Sequence, residues 1–246
     1  MGKRILQRRR GKAGIQFRAP IKGKIAPVRY PKEGADGQAT VTAILDERGR
    51  SAPLAQLKLD RNRYTYVPAV AGMSVGQQVT VGPTSQVSGG NIMPLSRIPE
   101  GTRVCNIEIR RGDGGRLVRA SGTSAVLFSK ANGRAIIKLP SGKNIMVSDV
   151  CRATIGEVAG GGRREKPFLT AGARHHAMRA SGRVYPRMRG IAMAVVYHPF
   201  GGGRHQHPGK STSTSRNAPP GRKVGLIAPR KTGRKRLARA SAEVSK

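Results

Sequence analysis

The chain of 246 residues carries 47 Lys and Arg against 12 Asp and Glu, a formal net charge of +35 at pH 7 that opposes compaction of the isolated chain. Hydrophobic residues make up only 37% and aromatic residues 4%, with 33 glycines and 16 prolines, which excludes a helical bundle with a large core. Two cysteines exclude a disulfide framework and a thiolate zinc finger, and no membrane partner is expected because the longest apolar run, residues 191–196, is too short to span a bilayer.

The positive charge is concentrated toward the two ends of the chain. The net charge is +10 in residues 1–30, +1 in 31–100, +6 in 101–160, +7 in 161–200 and +11 in 201–246. Folding alone gives no reason for a nearly neutral centre between basic arms, whereas a bound polyanion does. The charge layout therefore predicts nucleic-acid binding.

The first segments predict an extended arm followed by a small β domain. Residues 1–30 contain three consecutive arginines and lack an apolar period, which predicts an extended basic arm. From Ala39 onward, alternating apolar residues and glycine-containing turns predict five short strands within about fifty residues. This pattern favours a small closed or partly closed barrel.

A second β-rich block begins near Pro99. Residues 135–139 and 144–147 predict a hairpin, and Asn-Gly and Ser-Gly turns recur about every eight to twelve residues, as in all-β domains. The block ends in the glycine-rich stretch 156–162. Residues 163–246 show almost no sustained period and are rich in glycine, proline and basic residues, which predicts a second extended arm.

The basic arms favour RNA over DNA. Runs of Lys and Arg often form only a solvated face, but here they occur at both ends and lack acidic partners. Guanidinium groups bind two phosphate oxygens at once and stack on bases, and each neutralised phosphate releases condensed cations. Because glycine-rich arms without a helical period do not present a helix to a DNA major groove, folded RNA is the favoured partner. A DNA-packaging protein is the alternative from a different class.

All five histidines lie in one part of the chain: His175, His176, His198, His205 and His207. The last three could chelate a metal, but the glycine-rich surroundings provide no stiff scaffold or fourth ligand, so no metal is expected. General acid–base catalysis by His198 requires an orienting carboxylate, and residues 166–242 contain no Asp or Glu. We therefore expect these histidines to contact RNA, with a histidine-dependent hydrolase or transferase as the second alternative.

Specific strings occur in order along nearly the whole chain. They are residues 98–102 (IPEGT), 105–108 (CNIE), 122–125 (GTSA), 139–142 (LPSG), 151–158 (CRATIGEV), 189–193 (RGIAM) and 198–203 (HPFGGG). Together they resemble the universal large-subunit ribosomal protein two family. The continuation in residues 205–210 (HQHPGK) is similar to its archaeal and eukaryotic branch.

The resemblance implies an all-β fold with an oligonucleotide-binding-type barrel over residues 31–88 and an SH3-like barrel over 89–170, between extended arms over 1–30 and 171–246. It implies a cytoplasmic, non-enzymatic structural component of the large ribosomal subunit, present in single copy. The implied partners are large-subunit rRNA near the peptidyl-transferase region and neighbouring ribosomal proteins, with tRNA and small-subunit rRNA as further candidates at the subunit interface. No cofactor is expected, apart from structural Mg²⁺ that could be shared with the rRNA.

His198 matches the family's histidine that has been discussed as supporting peptidyl transfer. Bacterial members have a second histidine where Phe200 stands here, so we treat His198 as an RNA contact and keep the catalytic role as the minor alternative. The residues expected to bind RNA share a basic or imidazole side chain or a glycine backbone within the two arms. They are Lys3, Arg4, Arg8, Arg9, Arg10, Lys12, Arg174, His175, His176, Arg179, Arg183, Arg187, Arg189, His198, Gly201, Gly202, Gly203, Arg204, His205, His207, Lys210, Arg216, Arg222, Lys223, Arg230, Lys231, Arg234, Lys235 and Arg236.

Overall fold

The structure is a computed structural model that describes residues 2–32, 34, 36–60, 63–230 and 232. The chain divides into two compact units. One, here called the sheet unit, spans Ala19–Ser181; the other, here called the basic unit, combines Met1–Arg18 with Gly182–Lys246. None of the helices in the described ranges is long and apolar enough to cross a membrane.

The sheet unit is built around one mixed ten-stranded sheet. Its strands are β1 (Gly37–Leu45), β2 (Leu54–Leu59), β3 (Arg63–Pro68), β4 (Gln78–Val81), β5 (Ile92–Pro94), β6 (Arg103–Cys105), β7 (Ala125–Ala131), β8 (Arg134–Lys138), β9 (Asn144–Ser148) and β10 (Arg152–Ile155). Neighbouring strands follow the order β3-β2-β1-β4-β5-β10-β6-β7-β8-β9, and the β4–β5 pair is parallel while the others are antiparallel.

This sheet confirms the predicted all-β class. Strands β3 and β9 each have one neighbour, so the sheet does not close into a barrel within the described residues. The more specific expectations, an oligonucleotide-binding-type and an SH3-like barrel, stay predictions.

Apolar residues at every second position form the first core, which lies against β1 to β5. Ala39 and Val41 of β1 are buried, while Thr40 between them is exposed, which is the period of a half-buried strand. Leu57 of β2 packs in the same core. A bulge in β1 between Val41 and Ala43 shifts the register against β2, as bulges do where a strand bends.

A second core lies against β6 to β10. The predicted hairpin is confirmed as β8 and β9, with Ile137 opposite Ile145. Strand β5 joins the two cores, because Ile92 is buried in the first and its neighbour Met93 in the second. The adjacent side chains of a strand point to opposite faces, so one short strand contributes to both.

Both cysteines are buried in the sheet unit. Burial raises the pKa of Cys105 to about 12 and that of Cys151 to about 11, so both remain neutral thiols. They act as small hydrophobic residues in the interior.

An ion pair between Glu108 and Arg152 is buried where the second core meets the segment before β1. Arg152 Nη2 donates to Glu108 Oε1 at 3.0 Å, and the backbone N–H of Arg152 donates to Oε2 at 2.9 Å. Glu108 Oε1 also accepts from the backbone N–H of Gly114 at 3.1 Å, and Arg152 Nη1 donates to the Pro31 carbonyl at 2.9 Å. The pair is therefore hydrogen-bonded on both sides, which offsets the desolvation of two charges.

Tyr30 extends this buried network. Its hydroxyl donates to the Asn106 carbonyl at 2.5 Å and hydrogen-bonds Thr154 Oγ1 at 2.7 Å. The Arg152 guanidinium lies 5.3 Å from the centroid of the Tyr30 ring. Burial, as the largest cause, raises the pKa of Tyr30 well above its ordinary value. The last residue of the predicted arm 1–30 thus belongs to the folded sheet unit.

Two short α-helices, α1 (Leu6–Gly11) and α2 (Ala171–Ala180), lie in segments expected to be extended. Thr170 caps α2, since its Oγ1 accepts from the backbone N–H of Ala173 at 3.3 Å. Only Ala180 of α2 is buried. The apolar positions of this helix are mostly alanines, which favour helix but are too small to produce a visible hydrophobic period. That is why the sequence pattern missed α2.

We expect Arg152→Met to lower the free energy of unfolding by about 3 to 5 kcal/mol, because it leaves the Glu108 carboxylate buried without its cation. Arg103→Met is the matched control. Arg103 is largely exposed and lies 3.5 Å from the Glu157 carboxylate, so its loss should cost less than about 1 kcal/mol. Urea unfolding of both variants measures the difference, and equal costs would contradict the role given to the buried pair.

Candidate nucleic-acid interface

Carboxylates of the sheet unit bind cations of the same unit. Glu47, in the turn after β1, accepts from Lys24 Nζ at 2.9 Å and from Arg50 Nη2 at 3.2 Å. Burial of Glu47 by itself raises its pKa, but the hydrogen bond from Lys24 and the charges of both cations outweigh burial, so the pKa of Glu47 is lowered. Glu47 therefore stays ionised at neutral pH and compensates positive charge locally.

The basic unit has no comparable compensation. Residues 1–18 and 182–242 contain no Asp or Glu, so their cations have no carboxylate within their own segments. The predicted cations of residues 183–230 are exposed, apart from Lys223, which is half-buried. The exposed ones are Arg183, Arg187, Arg189, Arg204, Lys210, Arg216, Arg222 and Arg230. Unpaired surface cations at this density are the electrostatic footprint of a phosphate-binding surface.

Two segments distant in sequence meet inside the basic unit. The backbone N–H of Lys3 donates to the Val196 carbonyl at 2.8 Å, and Lys3 Nζ lies 5.3 Å from the centroid of the Tyr197 ring. Ile5 is buried. Tyr197 was not among the residues predicted to bind RNA, although an aromatic residue beside His198 in a basic, glycine-rich segment was an available signal.

Helix α1 presents the three consecutive arginines of the N-terminal segment. Arg8 and Arg9 are exposed, and Arg10 is half-buried with its guanidinium 6.0 Å from the centroid of the Phe17 ring. All three lie in the last turn, where cations are favoured by the helix dipole. The other predicted residues of this segment, Lys3, Arg4 and Lys12, are also exposed.

Helix α2 carries four of the predicted residues and belongs to the sheet unit. They are Arg174, His175, His176 and Arg179, all exposed, and the two imidazole rings lie edge to face with centroids 5.6 Å apart. The end of α2 packs closely on the turn after β1, because a Cβ on Gly49 would overlap the Ala180 carbonyl. The helix is thus held at its C-terminal end while its basic side chains face solvent.

Three glycines allow a compact loop around His198. The N–H of Gly201 donates to the His198 carbonyl at 2.9 Å, and the N–H of Gly202 donates to the Met193 carbonyl at 2.9 Å. A Cβ on Gly190 would overlap the His198 ring, and a Cβ on Gly201 would overlap the Met193 carbonyl. The glycines at 201 and 202 therefore serve the internal packing of the loop, whereas Gly203 has no such close neighbour.

The loop fixes the protonation state of His198. The backbone N–H of Phe200 donates to His198 Nδ1 at 3.1 Å, so Nδ1 is an acceptor. Burial lowers the pKa of His198, which favours the neutral imidazole with its proton on Nε2. The Phe200 ring packs beside it, with ring centroids 5.3 Å apart. His198 can therefore donate a hydrogen bond from Nε2, for which the described part of the chain shows no acceptor.

The remaining residues predicted to bind RNA are two histidines and four cations near the end of the chain. His205 and His207 are exposed, and the described residues contain no group of three His, Cys, Asp or Glu that could hold a metal ion. Lys231, Arg234, Lys235 and Arg236 lie outside the described residues.

Gly201→Ala should open the loop, because the added methyl group meets the backbone carbonyls of Met193 and Ala194, which cannot move aside as a flexible side chain does. We expect the amide hydrogens of residues 201 and 202 to exchange about tenfold faster or more, measured by NMR. Gly221→Ala is the control, since a Cβ there meets nothing within 4 Å. Unchanged exchange in Gly201→Ala would contradict the packing role.

Comparison with known proteins identifies the family. Residues 88–243 match the family model described as Ribosomal Proteins L2, C-terminal domain. The large ribosomal subunit protein uL2 of Cenarchaeum symbiosum is 48% identical over 96% of this chain and 98% of its own length. The uL2 proteins of Desulfurococcus amylolyticus and Halorubrum lacusprofundi are 50% and 49% identical, over 96% and 95% of this chain and 100% and 98% of their own lengths. The chain therefore belongs to the uL2 family of large-subunit ribosomal proteins.

Proposed function

We propose that this protein binds large-subunit rRNA as a structural, non-enzymatic component of the cytoplasmic ribosome, in single copy and beside other ribosomal proteins. The observation that carries the proposal is the charge of the basic unit: its residues 1–18 and 182–242 contain no Asp or Glu, and most of their predicted RNA-binding cations are exposed. Its relatives are large ribosomal subunit proteins, which supports the assignment. Its position near the peptidyl-transferase region, with contacts to tRNA and small-subunit rRNA, is proposed from the family resemblance.

The small core of the basic unit supports a role that depends on RNA. Among its described residues, the buried hydrophobic side chains are Ile5 and Val224. Ordering the backbone costs about 1 to 2 kcal/mol of conformational entropy per residue. The free energy gained by burying two hydrophobic side chains is too small to offset this cost over a segment of this size. Phosphate contacts and the release of condensed counterions supply the missing free energy.

The sheet unit is proposed to anchor the protein. Its two cores and its buried Glu108–Arg152 pair make it stable without a partner, and its carboxylates offset part of its own charge. We assign β1 to β4, within residues 31–88, to the oligonucleotide-binding-type domain and β5 to β10, within residues 89–170, to the SH3-like domain. The two cores divide in nearly the same way, with Ile92 of β5 as the residue that joins the first core from the second set of strands. The basic residues of α2 extend the RNA-binding surface of this unit.

Neutralising the α1 cluster tests phosphate binding directly. In Arg8→Gln/Arg9→Gln/Arg10→Gln, we expect weaker binding to large-subunit rRNA and a slope of log K against log salt that is smaller by roughly 2 to 3, because up to three released counterions are lost. Filter binding between 50 and 500 mM KCl measures the slope.

The matched control removes three exposed cations from the sheet, in Lys58→Gln/Lys138→Gln/Lys143→Gln. This variant has the same net charge as the α1 variant and should keep most of the wild-type slope. Equal losses in both variants would mean that total charge, and not the α1 cluster, determines binding. Duplex DNA that outcompetes the rRNA would instead favour the DNA-packaging alternative.

His198 is proposed to act as a neutral hydrogen-bond donor to RNA and not as a proton-transfer catalyst. In reconstituted large subunits, His198→Gln keeps an N–H donor, so the rate of peptidyl transfer should change less than about threefold and keep its pH profile. A general base would instead lose about a hundredfold or more. A loss of that size, with normal assembly and normal rRNA footprints, would establish the catalytic alternative.

A further inference from the structure

The basic unit contains a cavity lined mainly by polar residues. It has a volume of about 590 Å³ and lies between the segment after His198 and residues 210–224. This volume is within the range of small-molecule sites, roughly 300 to 1,000 Å³. The cavity is therefore large enough for one nucleotide and too small for a folded partner.

The walls of the cavity are held in place by backbone bonds. Two short strands, β11 (Ser213–Thr214) and β12 (Leu226–Ile227), pair in parallel, and the N–H of Leu226 donates to the Thr212 carbonyl at 2.8 Å. Thr214 is buried, and its Oγ1 donates to the Val224 carbonyl at 2.7 Å. The two walls of the cavity are thus linked by hydrogen bonds of the protein's own chain.

The polar groups along the wall keep hydrogen-bonding capacity for a ligand. Ser211 Oγ accepts from the N–H of Ser213 at 3.3 Å, and Ser215 Oγ accepts from the N–H of Asn217 at 3.2 Å. Each of these hydroxyls still has its own O–H to donate. The Asn217 side-chain amide has no partner in the described part of the chain, so it offers both a donor and an acceptor, the pair that reads the edge of a base.

Two cations and one aromatic ring also line the cavity. Lys210 and Arg222 line the cavity, with no acidic residue in the surrounding segment to neutralise them. Phe200 contributes an aromatic ring, and the ring tip lies 3.3 Å from the position that a Cβ on Gly225 would take. Cations for a phosphate, an aromatic ring for a base and an amide for its edge are the groups by which proteins hold unstacked nucleotides of RNA.

We propose that this cavity holds a single unstacked nucleotide of the large-subunit rRNA. The base packs against Phe200 and is read by Asn217, while Lys210 and Arg222 bind its phosphates. This inference rests on the proposed rRNA-binding function and deepens it: most of the basic unit binds the RNA backbone, whereas the cavity selects one nucleotide. A cavity of this kind gives sequence or shape selectivity that surface cations alone do not.

Filling the cavity without changing the charge tests the proposal. Ala218, a half-buried residue of the wall, is replaced in Ala218→Phe, and the full chain is bound to large-subunit rRNA. We expect about tenfold weaker binding with an unchanged salt slope, because the base is excluded from the cavity while the exposed Lys210 and Arg222 still bind phosphates. One rRNA nucleotide that the wild-type protein protects should become reactive to dimethyl sulfate or to a 2′-hydroxyl acylating reagent.

Two further variants make the result decisive. Phe200→Leu removes the ring with little change in apolar volume, and the same nucleotide should become reactive, even if Ala218→Phe fails to fold. Ala131→Phe adds the same ring at an exposed alanine at the end of β7, in the sheet unit, and should leave affinity and reactivity unchanged. Protection of every nucleotide in both cavity variants would overturn the cavity proposal while leaving rRNA binding intact. Failure of the wild-type chain to bind the rRNA would overturn both proposals.

Discussion

Uncompensated positive charge is the constraint on which the rest of this molecule depends. A formal charge of +35 is divided unequally, and residues 166–242 contain no acidic residue. Like charges at this density repel each other and oppose folding of the segment that carries them, unless an anion is bound. The protein therefore consists of one unit whose carboxylates offset part of its positive charge and another whose positive charge is offset only when an anion binds.

In the sheet unit, carboxylates offset part of the positive charge by pairing with cations of the same unit. Glu47 binds two cations beside the turn after β1, and Glu108 binds Arg152 in the interior. The interior pair is hydrogen-bonded by backbone groups as well as by its partner, although the buried Nε of Arg152 has no partner among the described residues. Because Arg152 also donates to the Pro31 carbonyl, the pair fixes the segment around Tyr30 to the second core. Buried charges arranged in this way contribute less to stability than to a unique arrangement, because each partner is costly to leave alone.

The basic unit holds polar and charged groups in fixed positions although it has very little hydrophobic core. Glycines allow backbone to pack directly against backbone or ring, as Gly190 and Gly201 do around His198. Close backbone packing and short hydrogen-bonded turns replace the hydrophobic core as the source of local order. The same device shapes the cavity beside Phe200, where a Cβ on Gly225 would overlap the Thr212 carbonyl, so polar and charged side chains surround a cavity within a segment rich in glycine and proline.

The amino-acid sequence alone determined the all-β class, the β8–β9 hairpin and the division between a nearly neutral centre and basic ends. These features depend on local patterns: strand alternation, turn residues and net charge are read over a few neighbouring positions. The tertiary structure decided which distant residues meet. Nothing in the sequence pattern indicates that Lys3 contacts Val196 and Tyr197, that Arg152 neutralises Glu108, or that residues 199 to 224 enclose a cavity. Helix α2 was also missed, because its apolar positions are mostly alanines and show no clear hydrophobic period. Its Thr170 cap was the local signal available, whereas its packing on the turn after β1 appears only once the chain is folded.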